Sequence, residues 1–199
     1  MTIHFVRHAD KAKGDFFNPH MRHQDQPISS LGRKQAARLA KYLRQKNITE
    51  VYVSEYIRTM QTIQPFARRA RLRPIVDARL NEIDLGFLDT MTYEEFQAKY
   101  PEAWKARNER LADFRWPGGE TGEEARARIA AFVAEQSSRP GNKAVVAHDG
   151  IVRVLLCHLL GIPVVRRFDF TLGTASVMEI EWEAERAKWN LIRYNQEVY

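Results

Sequence analysis

Cysteine is nearly absent from this chain: Cys157 stands alone among 199 residues, which excludes an intramolecular disulfide. That thiol lies in the apolar run Val154-Leu155-Leu156-Cys157, where a free cysteine behaves as a small buried hydrophobe. Long apolar runs are missing as well. No stretch approaches the roughly 18 residues of a membrane span, and no basic leader precedes an apolar signal segment. The chain therefore reads as a cytoplasmic protein with no membrane partner. It also has neither low-complexity nor internally repeated segments. The excess of positive charge is small, 31 Lys and Arg against 25 Asp and Glu, which favours anionic partners without calling for nucleic acid. Arg68-Arg69 with Arg71 and Arg73 is the one basic stripe, and with no nucleic-acid motif beside it, it reads as a solvated helix end and the following loop. His20-Met21-Arg22-His23 lacks the convergent carboxylates or cysteines of a metal site, and His4 belongs to a strand, so neither metal nor cofactor is expected.

What is present is an ordinary globular composition, with 44% hydrophobic and 28% charged residues. A chain of this length buries about 70% of its unfolded surface as one domain, here residues 1–199. The run Ile3-His4-Phe5-Val6 reads as a buried strand, followed by a polar loop over residues 11–27. Ser29 or Ser30 caps a helix whose buried face is Ala36, Leu39, Ala40 and Leu43. Val51-Tyr52-Val53 is the next strand, and Ser54 turns into a helix with Ile57, Met60 and Ile63 at helical spacing, which Pro65 should kink or restart. Residues 73–77 suggest a further strand, and residues 79–86 run out as an irregular loop carrying Glu82 and Asp84. Thr92 with Glu95 and Thr121 with Glu124 have the capping-box form, so each pair should open a helix. A last helix begins near Gly150 and stops at Gly161-Ile162-Pro163, before a final strand over residues 176–182. Alternating strands and helices predict a mostly parallel sheet covered on both faces, with residues 87–120 as a small helical lid insertion. Trp104, Phe114 and Trp116 in that insertion read as packing residues.

Two histidines sit where buried strands stop: Arg7-His8-Ala9-Asp10 follows the first, and Ala144-Val145-Val146-Ala147 runs into His148-Asp149-Gly150. In open α/β sheets the ligand crevice lies beyond the carboxyl ends of the strands, so both histidines can meet in one pocket.

Separated pieces in fixed order then resemble the histidine phosphatase superfamily, also called phosphoglycerate mutase-like. They are Arg7-His8, Asp25-Gln26-Pro27-Ile28-Ser29 with Gly32 and Gln35-Ala36, Ser54 with Arg58 and Gln61-Thr62, Leu80-Asn81-Glu82-Ile83 with Gly86, Pro117-Gly118-Gly119-Glu120, and Val146-Ala147-His148-Asp149-Gly150. The resemblance implies a three-layer α/β/α sandwich and a phosphoric monoester hydrolase of the histidine acid phosphatase type. It implies His8 as the nucleophile that forms phosphohistidine, Arg7 and Arg58 as phosphoryl-binding forks, His148 as a donor from the far side, and Glu82 as the acid and then base. The chain departs from the pattern at Ala9, where glycine is usual, and at Asp10-Lys11, which leads into a longer loop. Asn18 is the candidate for the family's phosphate-contacting asparagine. The expected activity is metal-independent hydrolysis of a small phosphorylated metabolite. The alternatives are mutase-type phosphoryl transfer, a phosphatase for protein side chains, and a non-catalytic phosphate-binding protein. Oligomeric state does not follow from pattern, and a homodimer is compatible with it.

Overall fold

A computed structural model describes residues 1–198. Strand β1 (Thr2–Arg7) forms the middle of a six-stranded sheet together with β4 (Ile48–Val53), β5 (Ile75–Val76), β6 (Asn142–Ala147), β7 (Val177–Glu183) and β8 (Lys188–Gln196), in the order β5-β4-β6-β1-β7-β8. The pairs β5·β4, β4·β6 and β6·β1 are parallel, and β7 runs antiparallel to both β1 and β8. The sheet is thus mostly parallel, as the alternation of elements predicts. Its inner strands are buried on both faces over Ile3–Val6, Val51–Val53 and Lys143–Ala147, and apart from His4 and Lys143 those stretches are apolar. Successive residues of β6 supply the two faces in turn. Val145 and Ala147 join Phe5, Phe132 and Leu155 on one side, while Ala144 and Val146 join Leu39, Leu43, Ile63 and Phe66 on the other.

One outer layer is made by α1 (Ser30–Leu43) and α2 (Ile57–Ala70), the other by α5 (Gly122–Gln136) and α6 (Asp149–Leu160). Ser29 caps α1 by accepting from the Gly32 amide, and a Cβ at Gly32 would stand 2.2 Å from the Asp10 carbonyl, so glycine lets α1 pass the loop that follows β1. Thr121 and Glu124 form a complete capping box on α5. Gly161, at φ 65°, closes α6 while the Ile162 amide donates back to the Cys157 carbonyl, 3.1 Å. Cys157 is fully buried.

The structure departs from the sequence reading in several places. Pro65 lies inside α2 without ending it, because Ile63, Phe66 and Ala67 bury on the sheet around it and outweigh one lost helix bond, whereas Ile57 faces outward. The polar loop contains a two-stranded hairpin, β2 (Phe17–Asn18) with β3 (His23–Gln24). Residues 73–77 supply only the exposed edge strand β5. Beyond the expected final strand lies β8, whose polar, half-exposed residues hide its pairing. The insertion holds α3 (Tyr93–Lys99) and α4 (Pro101–Glu109), with Phe96 and Trp116 buried and Phe114 against Trp116 at 4.9 Å between ring centroids. The aromatics therefore pack, and a 3-10 turn, Gly86–Thr90, precedes these helices. Among the described residues no helix is long and apolar enough to cross a membrane.

Phe132 meets Tyr52 and Phe5 edge-on at 5.4 and 6.4 Å between centroids, with no exposure to solvent. Phe132→Ala should lower the unfolding free energy by about 3–5 kcal/mol in urea denaturation. A loss below about 1 kcal/mol would mean that this side of the core collapses around the gap.

Candidate active site

The register of the parallel strands assembles the site. Arg7 lies opposite Ala147 and Val53 opposite Val146, so the residues that follow, His8, His148 and Ser54, share one edge. The His8 and His148 rings stand 5.2 Å apart between centroids. A cavity of about 390 Å³ opens here, lined by Arg7, His8, Lys11, Arg58, Glu82 and Asp149 among others.

His8 is buried, and its Nδ1 lies 2.8 Å from the Ala9 carbonyl oxygen. A carbonyl only accepts, so Nδ1 carries the hydrogen and Nε2 keeps its lone pair. Burial and the adjacent Arg58 lower the pKa of this imidazole to about 3, with Arg7 and Lys11 adding to the effect. The ring is therefore neutral at neutral pH. Ala9 is fully buried, is not among the residues with positive φ, and donates its amide to Thr62 Oγ1 at 2.9 Å, so the backbone needs no glycine at this position. Asp10 accepts from the Ser29 hydroxyl and is thereby tied to the start of α1.

Arg58, also buried, donates to His148 Nδ1 at 3.2 Å and to the Gln24 carbonyl at 3.3 Å, with its guanidinium 4.1 Å over the Tyr56 ring. A guanidinium has no acceptor, so His148 Nδ1 accepts and its Nε2–H donates to Ser54 Oγ, 2.8 Å away. Burial, then Arg58 and His8, push the His148 pKa well below 6.5. His148 is fully buried behind Arg58 and does not itself line the cavity. Arg7 donates to the Leu172 carbonyl and pairs with Asp149 at 3.8 Å. The Nε atoms of Arg7 and Arg58 are both buried and have no hydrogen-bond partner among the described residues. Donors left unpaired in this way are costly unless an anion completes them.

Glu82 stands across the cavity, on the first turn of α6. Its Oε2 accepts from the Gly150 amide at 3.1 Å, and its Oε1 from the amides of Ile151 at 3.1 Å and Ile83 at 2.9 Å. Free amides and the positive end of the helix dipole make that turn a seat for a carboxylate. A Cβ at Gly150 would come within 2.6 Å of Oε1, so glycine permits the close approach. Arg128 holds the Glu82 loop by donating to the carbonyls of Arg79, Asn81 and Glu82 at 2.7, 2.9 and 3.1 Å, and is itself paired with Glu120 at 2.6 Å. Asn18 is the sequence candidate that the structure does not bring to the cavity. It sits in β2, donates to Asp25 at 3.3 Å and accepts from the His20 amide, because the longer loop folds as a hairpin that uses this side chain internally.

The family model for the histidine phosphatase superfamily (branch 1) matches residues 3–197. The chain belongs to that superfamily. It is 32% identical over 186 residues to phosphoserine phosphatase 1 of Hydrogenobacter thermophilus, covering 91% of this chain and 86% of the relative. It is 33% identical over 142 residues to 6-phosphofructo-2-kinase/fructose-2,6-bisphosphatase of Gallus gallus, where the match takes in 68% of this chain but only 28% of the longer relative. The solved native structure of mycobacterial glucosyl-3-phosphoglycerate phosphatase superposes with a TM-score of 0.79 at 26% identity, covering 99% of each chain. Within this superfamily member, Tyr56, Gln24, Asp89 and Arg128 complete the surroundings of the matched residues. None had a sequence signal of its own, since each gains its place by contacts distant along the chain.

Buried neutral histidines tie stability to pH. The folded pKa of His8 is about 3 and that of His4 about 4, whereas the unfolded imidazole titrates at 6.5. Below 6.5 the unfolded chain takes up protons that the folded chain refuses, so stability falls as pH drops, by about 1.4 kcal/mol per pH unit for each such group. Urea unfolding at pH 7.5, 6.0 and 5.0 should show this decline, and a flat profile between 6.5 and 5 would contradict it.

Proposed function

We propose that this protein is a metal-independent phosphomonoesterase of the histidine acid phosphatase type, hydrolysing a small phosphorylated metabolite through phosphohistidine. The observation that carries the reading is the neutral His8, with its Nε2 lone pair, beside two arginines whose buried Nε–H donors are unpartnered. A phosphoryl group seated there completes both guanidinium forks, and its charge is met by permanent cations. Nε2 attacks phosphorus and the bond to the ester oxygen breaks. Glu82 takes up the proton of the phosphate monoester monoanion as it binds and gives that proton to the departing alkoxide. The resulting carboxylate then takes a proton from water as that water attacks phosphorus, the phosphorus–nitrogen bond breaks, and phosphate leaves with His8 neutral again. His148 supports Arg58 by accepting from it at Nδ1. Once Arg58 turns to phosphoryl oxygens, Nδ1 of His148 is released; water-mediated exchange to the other neutral tautomer, in which Nε2 loses its hydrogen and accepts from the Ser54 hydroxyl while Nδ1 gains one, lets Nδ1–H donate to the same group.

Phosphoserine and glucosyl-3-phosphoglycerate, the substrates named in two relatives, belong in the first panel, beside sugar and glycerate phosphates and phosphopeptides. With chelator present throughout, wild type should release phosphate and His8→Ala should not. Glu82→Gln should lower kcat by about 10²- to 10⁴-fold. A phosphoryl label should be trapped on His8. Substrate conversion with little free phosphate would point instead to mutase-type transfer, and phosphate binding with no trapped phosphoenzyme to a binding protein.

A further inference from the structure

The hairpin formed by β2 and β3 borders the cavity but has almost no apolar hold on the protein. No residue from 11 to 27 is buried, and Phe16 and Phe17 are 40% and 42% exposed. A lone two-stranded ribbon is marginally stable in water, so its seat depends on the polar contacts it makes. The most closely bonded of these side chains is His23, whose Nδ1 lies 2.8 Å from Asp89 Oδ2 and whose Nε2 lies 3.6 Å from Asp84 Oδ1. Both carboxylates belong to the segment after Glu82, and that segment is fixed. Asp84 accepts from the Gly86 amide at 2.7 Å, and its own amide donates to Glu120, the partner of Arg128.

The same hairpin holds Arg58. Next to His23, the Gln24 carbonyl accepts from Arg58 at 3.3 Å, and Asp25 pairs with Arg58 at 3.9 Å while accepting from the Ile57 amide at 2.9 Å. The His23 ring is stacked 6.1 Å from Tyr56, the ring on which the Arg58 guanidinium rests. Gln24 and Asp89, which His23 draws together, line the active-site cavity and also wall a neighbouring cavity of about 440 Å³.

We propose that His23 is a positioning residue: wedged between Asp84 and Asp89, it pins the hairpin across the cavity mouth and so holds Arg58 where a phosphoryl group is bound. The proposal rests on the phosphoryl-binding reading of the site. The groups facing the imidazole are Asp89, Asp84, the adjacent Arg22 and the Tyr56 ring. The bond to Asp89, with the charge of Asp84 added, outweighs desolvation and Arg22, and raises the His23 pKa above 6.5. A protonated ring bonds Asp89 through Nδ1–H and holds Asp84, 3.6 Å from Nε2, by charge, whereas a neutral ring keeps the Asp89 bond and loses the attraction to Asp84. The two-sided hold is therefore complete below 6.5 and is lost as pH rises through the higher folded value.

The test compares wild type with His23→Gln and with Asp84→Asn, which keeps the shape of the anchor and removes its charge. Inorganic phosphate affinity is measured by calorimetry, and p-nitrophenyl phosphate turnover is measured alongside it, from pH 5.5 to 9. At the acidic end both variants should bind phosphate about 5- to 10-fold more weakly and show KM raised to match, with kcat changed less than about 2-fold. The ratio of variant to wild type should shrink toward one as pH rises past the His23 pKa, and taking the ratio cancels the ionisation of phosphate itself. A ratio independent of pH, or equal to one throughout, would overturn the positioning role. If wild type binds phosphate but turns nothing over, the catalytic reading fails while the calorimetric ratio still decides the role of His23.

Discussion

The parallel register of β4, β6 and β1 is the constraint on which the rest of the molecule depends. Because Val53, Val146 and Val6 are level in the sheet, the chain leaves all these strands at one edge, and Ser54, His148 and His8 are delivered to it within hydrogen-bonding or ring-contact distance. A shift of one residue along any of these strands would turn its alternating apolar residues to the wrong layer, so the packing of both helical layers enforces the register. The same burial that stabilises the sheet desolvates both histidines. Core packing and histidine neutrality are thus one effect.

Charge is organised around that neutral pair with neither His8 nor His148 paired to a carboxylate among the described residues. Arg7 and Arg58 bring permanent positive charge and keep unpaired donors, while the carboxylate across from them, Glu82, is held by backbone amides of α6 instead of by a cation. Arg7 and Arg58 already have aspartates at the edge of ion-pair distance, Asp149 at 3.8 Å and Asp25 at 3.9 Å, so a further carboxylate bonded to either would cancel more of the charge that an anion meets. Seating Glu82 on a helix terminus keeps acid and anion site close together and separate in charge. Arg128 serves the same end at one remove, gathering carbonyls of the Glu82 loop so that a segment with little regular structure arrives at a defined position.

The α/β alternation, the caps at Ser29, Thr92 and Thr121 and the stop at Gly161 were legible because each rests on contacts within a few residues of the chain. The matched blocks around Arg7, His8, Arg58, Glu82 and His148 were legible in the same way, as short patterns in fixed order. Less visible were features whose cause is distant. The hairpin within residues 11–27 forms because Asp89, Asp84 and Arg58 wait on other segments, and its polar sequence carries no strand periodicity. β8 pairs on one side only, against β7, and its half-exposed residues do not alternate cleanly. Asn18, read as a phosphate ligand from the family pattern, is turned to the hairpin's own use by the longer loop.

The sequence by itself therefore determined the layered α/β class, the superfamily and the chemical types at the site, since local periodicity, caps and ordered motifs need no partner from elsewhere in the chain. Tertiary structure alone decided which nitrogen of each histidine carries the proton, that His148 stands behind Arg58, that Glu82 rests on α6 and that His23 bridges Asp84 and Asp89. Each of these is set by a hydrogen-bond partner or by burial between residues tens of positions apart, and such distances exist only once the sheet has closed.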